Sequence, residues 1–188
     1  MLLYYFLAAV AVWFGIQSLL SGFRYVSYVR RETGKPLPDF TPFISVIAPH
    51  KGLEPGLIEN VSSVLAQEYP AFEVLFVFDD EADHAIDLIR EQQRQYPSVK
   101  SRIIISGPAT DSGQKVHNLR FATLQVSADC QVLVFVDGDA RPGTQWLKQL
   151  VAPLVDEQTG ASTGYRWFVP VKGGLASRLR SIWNASIA

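Results

Sequence analysis

Several things are scarce in this 188-residue chain, and each scarcity excludes something. There is one cysteine, Cys130, so no internal disulfide framework can exist. Just before an apolar run, it reads as a small core residue rather than a nucleophile. The three histidines, His50, His84 and His117, are scattered without zinc-ligand spacing. Net charge is nearly absent: 17 Lys and Arg face 18 Asp and Glu, which removes any general attraction to nucleic acid. No GxGxxG follows the first strand-like segment and no GxxxxGK[ST] occurs, which disfavours a dinucleotide fold or a P-loop NTPase.

Charge is missing altogether from residues 1–23. That stretch is long enough to span a bilayer at about 20 residues per crossing. A cleaved signal peptide would have a basic start and a shorter apolar core, and neither is present. Arg24, Arg30, Arg31 and Lys35 follow against the single acid Glu32. The positive-inside rule then puts the remainder on the cytoplasmic side of a single-pass membrane anchor. The expected organisation is an anchor over 1–23, a basic, proline-containing linker over 24–42, a folded domain over 43–170 and an amphipathic segment over 171–188. In that last segment Leu179, Ile182, Trp183 and Ile187 have helical spacing beside Arg178 and Arg180. It suits a membrane surface or a core-facing helix, with the membrane favoured.

The folded part alternates. Strands are expected over 43–48, 72–78, 102–106 and 131–136, with a fifth over 161–168. Helices are expected after Pro55, over 82–96 and 114–126, and around Leu147, Leu150, Val151 and Leu154. Strand–helix alternation with continuous apolar strands implies a mostly parallel α/β sheet with helices on both faces. Ligands of such sheets bind outside the carboxyl ends of the strands. Those ends carry Pro49-His50-Lys51-Gly52, Asp79-Asp80-Glu81 and Asp137-Gly138-Asp139.

The last cluster leaves VLVFV (132–136), which reads as a strand buried on both faces. Two carboxylates at its exit cost desolvation unless something positive is present, and a divalent cation carrying phosphate oxygens meets that need. Taken alone, the tripeptide reads equally as a polar turn. Convergence with the other two clusters favours the metal site.

Together these residues resemble the glycosyltransferase family 2 type of GT-A domain. They are most similar to its ceramide glucosyltransferase branch and the bacterial relatives that act on lipid acceptors. The matching segments are PFISVIAPHKG (42–52), LIENVSSVLAQEYPAFEVLFVFDDEADHAID (57–87), GQKVHNL (113–119), VFVDGDARPG (134–143) and TGYRWFVP (163–170). The resemblance implies a UDP-sugar donor, UDP-glucose foremost, and a lipid-type acceptor. It implies Mg²⁺ or Mn²⁺ on Asp137 and Asp139, with Asp137 also at the donor. Pro49 and Lys51 would lie at the nucleotide edge. Asp80 would contact the uracil–ribose part, or Asp79 if the register slips by one. Lys115 and Asn118 match the KxxNL element near the donor. With Ser112 as helix cap, Lys115 falls in a first turn, where a cation opposes the helix dipole unless an anion sits nearby. His50 and His117 read as polar neighbours of the site without a proton-transfer role. Arg141 pairs with the two acids or is exposed.

One family feature is missing. The resembled family places its general base on a later aspartate, followed by a (Q/R)xxRW element, whereas no carboxylate follows Glu157 and no such element occurs. The expectation is therefore the donor half of a lipid glycosyltransferase. The alternatives are a nucleotide-sugar-binding membrane protein without turnover, or one needing a second polypeptide for its acceptor half. A nucleotidyltransferase is a more distant reading.

Overall fold

The computed structural model describes residues 1–164 and 173–185. It divides into two compact units, Met1–Pro38 and Asp39–Ala188.

The first unit is the helix α1 (Leu2–Thr33), 32 residues and about 48 Å at 1.5 Å per residue. It is long and apolar enough to cross a membrane. The helix does not stop at residue 23. It continues through Arg24, Arg30 and Arg31, so the first part of the segment read as linker is helical. Nothing in YVSYVRRE breaks a helix. Gly34 and then Pro36 and Pro38 do, and the Gly34 N–H closes the last turn on the Arg30 carbonyl at 3.2 Å.

In the second unit the elements are β1 (Ile44–Pro49), α2 (Leu57–Leu65), β2 (Phe72–Phe78), α3 (Ala85–Gln95), β3 (Lys100–Ile105), α4 (Gln114–Thr123), β4 (Val132–Phe135), α5 (Trp146–Val151) and α6 (Leu175–Ala185). The sheet order is β3-β2-β1-β4 and every pairing is parallel. Ile44 pairs with Phe72 on one side and Val132 on the other. This is the α/β architecture that the alternation implies.

Side-chain alternation builds a core on each face. Ile44, Val46, Val74, Phe76 and Phe78 pack with α2, α3 and α5 through Val61, Val64, Ile86, Ile89, Leu147 and Val151. Ile47, Leu75 and Val77 pack with Ala122 and Leu119 of α4. The inner strands β1 and β2 are buried on both faces.

The fourth strand departs from its expected burial. Val134 and Val136 are buried, but Leu133 and Phe135 are 42% and 52% exposed. Composition could not reveal this, because β4 is an edge strand with only one face covered among the described residues. Helix α3 begins at Ala85 rather than 82 because the acidic loop folds into turns. There Asp80 Oδ1 accepts the Ala82 N–H at 2.9 Å and Asp83 Oδ1 accepts that of Ala85 at 2.8 Å. Helix α4 ends at Thr123, whose hydroxyl donates back to the Arg120 carbonyl. Of the expected fifth strand, residues 161–164 are not strand, and 165–168 lie outside the described residues. So does most of the TGYRWFVP segment.

One charged residue lies inside β2. Glu73 is fully enclosed and accepts hydrogen bonds from the Ser45 hydroxyl (2.8 Å) and the Ser127 N–H (2.6 Å), with Arg102 Nη2 at 3.2 Å. Burial alone would push its carboxyl up. The Ser127 and Ser45 donors and the Arg102 guanidinium outweigh that and hold it below the ordinary carboxylate range.

Candidate functional site

The chain reverses direction across the sheet between β1 and β4: β2 and β3 lie to one side of β1, and β4 to the other. Such a reversal opens a crevice at the carboxyl ends of the two strands. A cleft of about 270 Å³ occupies this place, lined by Pro49, Lys115, Leu119, Phe135, Val136 and Asp137. Pro49 ends β1, Asp137 follows β4, and Lys115 lies in the first turn of α4.

Two ion pairs mark the carboxyl edge. Lys115 Nζ meets Asp137 Oδ1 at 2.5 Å, with both side chains more than half exposed. Lys51 Nζ meets Asp79 Oδ2 at 2.9 Å. The Lys51 hydrogen bond holds the Asp79 carboxyl below the usual carboxylate range, and Asp79 in turn raises the Lys51 ammonium. Asp139, two residues beyond Asp137, is also exposed. Among the described residues no three His, Cys, Asp or Glu side chains gather as a metal cage.

Helix α4 is capped by Gly113 rather than Ser112, with no side-chain cap bond. Gly113 has extended φ and ψ, which suits the cap, and the Ser112 Oγ is instead buried without a hydrogen-bond partner. Lys115 nevertheless stays in the first turn.

The other expected site residues are placed differently. Asp80 turns its Oδ1 into its own loop, onto the Ala82 N–H. Asn118 is buried, and its Oδ1 accepts from Ser106 Oγ (2.8 Å) and Gln114 Nε2 (2.7 Å), which ties the end of β3 to α4. Arg141 turns to α2: its Nε donates to Asn60 Oδ1 at 3.1 Å and its Nη2 lies 3.8 Å from Glu59. His117 Nε2 sits 3.0 Å from the Ser106 carbonyl oxygen and its ring stacks on Phe121.

His50 is the most constrained of the group. It is 6% exposed, tilted against Phe76 and stacked on Phe78, with its Nδ1 buried and unpartnered. Burial pushes its pKa down to about 4, against a smaller opposing pull from Asp83. Its ring explains the glycine between the two acids. A Cβ on residue 138 would lie 2.8 Å from His50 Nδ1 and 3.1 Å from the Pro49 carbonyl oxygen. The loop after β4 therefore rests directly on the end of β1.

Three supports of this edge escaped the sequence reading. Asn60, buried on α2, donates from Nδ2 to the Gly138 carbonyl at 3.3 Å. Gln67 donates to the Gly143 carbonyl and accepts the Leu147 N–H, so it pins the chain beyond the two acids. Asp83 Oδ2 accepts the N–H of Gly52, whose φ of +66° a larger side chain rarely adopts. Asn60 did carry a signal, since it sits three residues after Leu57 on the apolar stripe of α2. A polar residue there needs a buried partner.

Comparison with known proteins bears on the whole arrangement. Residues 3–185 match the family described as Glycosyl transferase family 21. Ceramide glucosyltransferase 1 of Caenorhabditis elegans is 32% identical over 97 residues, which are 52% of this chain and 21% of that protein. Glycosyltransferase AglE of Haloferax volcanii is 28% identical over 138 residues, 72% of this chain and 43% of that one. The chain thus spans about a fifth of the ceramide glucosyltransferase it matches. Among solved structures, the mannosyltransferase PcManGT of Pyrobaculum calidifontis, in complex with GDP-Man and Mn²⁺, superposes with a TM-score of 0.59 at 23% identity. The match covers 77% of this chain and 43% of that one, and it shows a shared GT-A-like fold. With nearly its entire length matched by one family, the chain belongs to glycosyl transferase family 21.

Proposed function

We propose that this chain is the donor-binding portion of a membrane-anchored glycosyltransferase that takes a hexose, foremost glucose, from a UDP-sugar to a lipid-type acceptor. The observation that carries the reading is the pairing of Lys115 with Asp137 in a cleft at the β1/β4 reversal, with Asp139 beside it. The relative from Caenorhabditis elegans is named as a ceramide glucosyltransferase, which supports the choice of glucose and of a lipid acceptor.

The donor set fits a divalent cation, Mg²⁺ or Mn²⁺. Asp137 and Asp139 offer hard carboxylate oxygens, and with no third acidic or imidazole ligand clustered there among the described residues, diphosphate oxygens would complete the coordination. When bound, such a cation neutralises charge developing on the UDP leaving group. Lys115 then serves two states. Without donor its ammonium balances Asp137. With donor it faces phosphate oxygens at the start of α4, where the helix dipole also favours an anion. Pro49 shapes the floor of the same cleft. Lys51, Asp79 and Asp80 form the rim proposed for the nucleoside, and buried Asn118 sets the loop before α4.

Transfer to an alcohol also needs a base at the acceptor hydroxyl. We assign that role to further polypeptide, of the same protein or a second chain, because the match spans only 21% of the ceramide glucosyltransferase relative. The basic residues Arg24, Arg30 and Arg31 toward the carboxyl end of α1, with Lys35 just beyond it, support chemistry on the cytoplasmic face. Titration of UDP-glucose with and without Mn²⁺ tests the reading. Metal-dependent binding is expected, and Asp139→Asn should remove the metal dependence. No binding in either condition, with the fold intact, overturns the donor site. Binding without turnover would favour the nucleotide-sugar-binding reading.

A further inference from the structure

Helix α6 carries none of the residues assigned to the donor site. Its apolar residues Leu175, Leu179, Ile182 and Trp183 are all more than half exposed. At about 100° per residue these four fall within an arc of about 100°. Ser177, Ser181 and Asn184 occupy the opposite side. The two arginines take the borders: on the same wheel Arg178 sits about 40° beyond one edge of the apolar arc and Arg180 about 60° beyond the other.

We propose that α6 lies in the surface of an anionic lipid bilayer, with its apolar arc at the acyl boundary and both arginines at the headgroups. Three observations favour lipid over a protein partner. Residues 158–188 contain four basic residues and no acidic one, so the segment's net positive charge complements anionic headgroups. Arginines on both borders of an apolar arc suit a flat, charged interface. The same chain also carries a helix able to bring it to a bilayer.

The single cysteine makes a direct test possible. In the full chain with Cys130→Ala, reconstituted in vesicles containing phosphatidylglycerol, a nitroxide is placed by Leu179→Cys or, separately, by Ser177→Cys. Both sites are exposed, so neither label disturbs a core. At 179 the label should relax readily with oxygen and poorly with a water-soluble nickel chelate, and at 177 the order should reverse. Arg178→Gln with Arg180→Gln should weaken the surface association by about fivefold per arginine. The label at 179 then becomes accessible to the chelate.

Chelate access at both sites in the parent chain would mean a solvated helix and overturn the proposal. Shielding of 179 from both reagents would mean a protein-covered face and also overturn it. An unchanged depth in the double arginine variant would refute the headgroup assignment. A label at the polar Ser177 that matches the one at 179 would refute the orientation.

Discussion

The two ends of the sheet treat their carboxylates in opposite ways. At the amino-terminal end Glu73 is fully enclosed and surrounded by Ser45, Ser127 and Arg102. At the carboxyl end Asp79, Asp137 and Asp139 lie at or near the surface, and two of them meet lysines. The first arrangement fixes strands β1, β2 and β3 to the segment before β4. The second adds little to the fold and leaves polar groups able to change partners. An acid locked by several buried donors is structural, whereas solvent-facing acids paired with lysines at a strand exit are suited to an incoming ligand.

Substitutions can break this contrast. The largest effect is expected from Glu73→Ala, which removes the buried acceptor of the Ser127 N–H and the Ser45 hydroxyl together with the partner of Arg102. Urea unfolding should show a loss of about 3–4 kcal/mol.

Next comes acidity acting through His50. Its pKa is near 6.5 in the unfolded chain and about 4 in the fold. Its contribution is full above 6.5, declines as pH falls because only the unfolded chain gains the proton, and is gone by about 4. Integrated, that is about 3 kcal/mol. Stability measured across this window should flatten in His50→Phe.

Gly138→Ala pushes a methyl onto the His50 ring and the Pro49 carbonyl and should cost about 2 kcal/mol. Combining it with His50→Ala should recover part of that loss, and a double-mutant cycle measures the coupling. The smallest effect on stability, within about 0.5 kcal/mol, is expected for Asp137→Asn, because its ion pair is exposed. The same variant should abolish metal-dependent UDP-glucose binding in calorimetry, which would separate the two ends most sharply.

Much of this frame was legible in the residues. The order of strands and helices followed from apolar runs and their spacing, and β2 falls on the expected residues. The convergence of strand ends followed from parallel topology alone. What could not be read was local competition for hydrogen bonds. Asp80 and Asp83 draw the start of α3 into turns, and Gly113 rather than Ser112 begins α4. Edge exposure was also invisible, because Leu133 and Phe135 look like core residues until β4 is seen to have one neighbour. The support that Asn60 gives Gly138 crosses 78 residues of chain, beyond any local pattern.

The pairing of β4 with β1 also sets when the cleft can exist. Gln131 accepts the backbone N–H of Phe43 from 88 residues away, at the start of that pairing. The pairings of β1, β2 and β3 use no residue beyond Ile105, whereas the cleft needs Lys115 and Asp137. Closing the long loop to β4 is among the slower steps for a sheet of this topology. The cleft lined by Lys115 and Asp137 is therefore expected to form late in folding, and a ligand that binds there would act on the complete sheet and not on strands β1 to β3 alone.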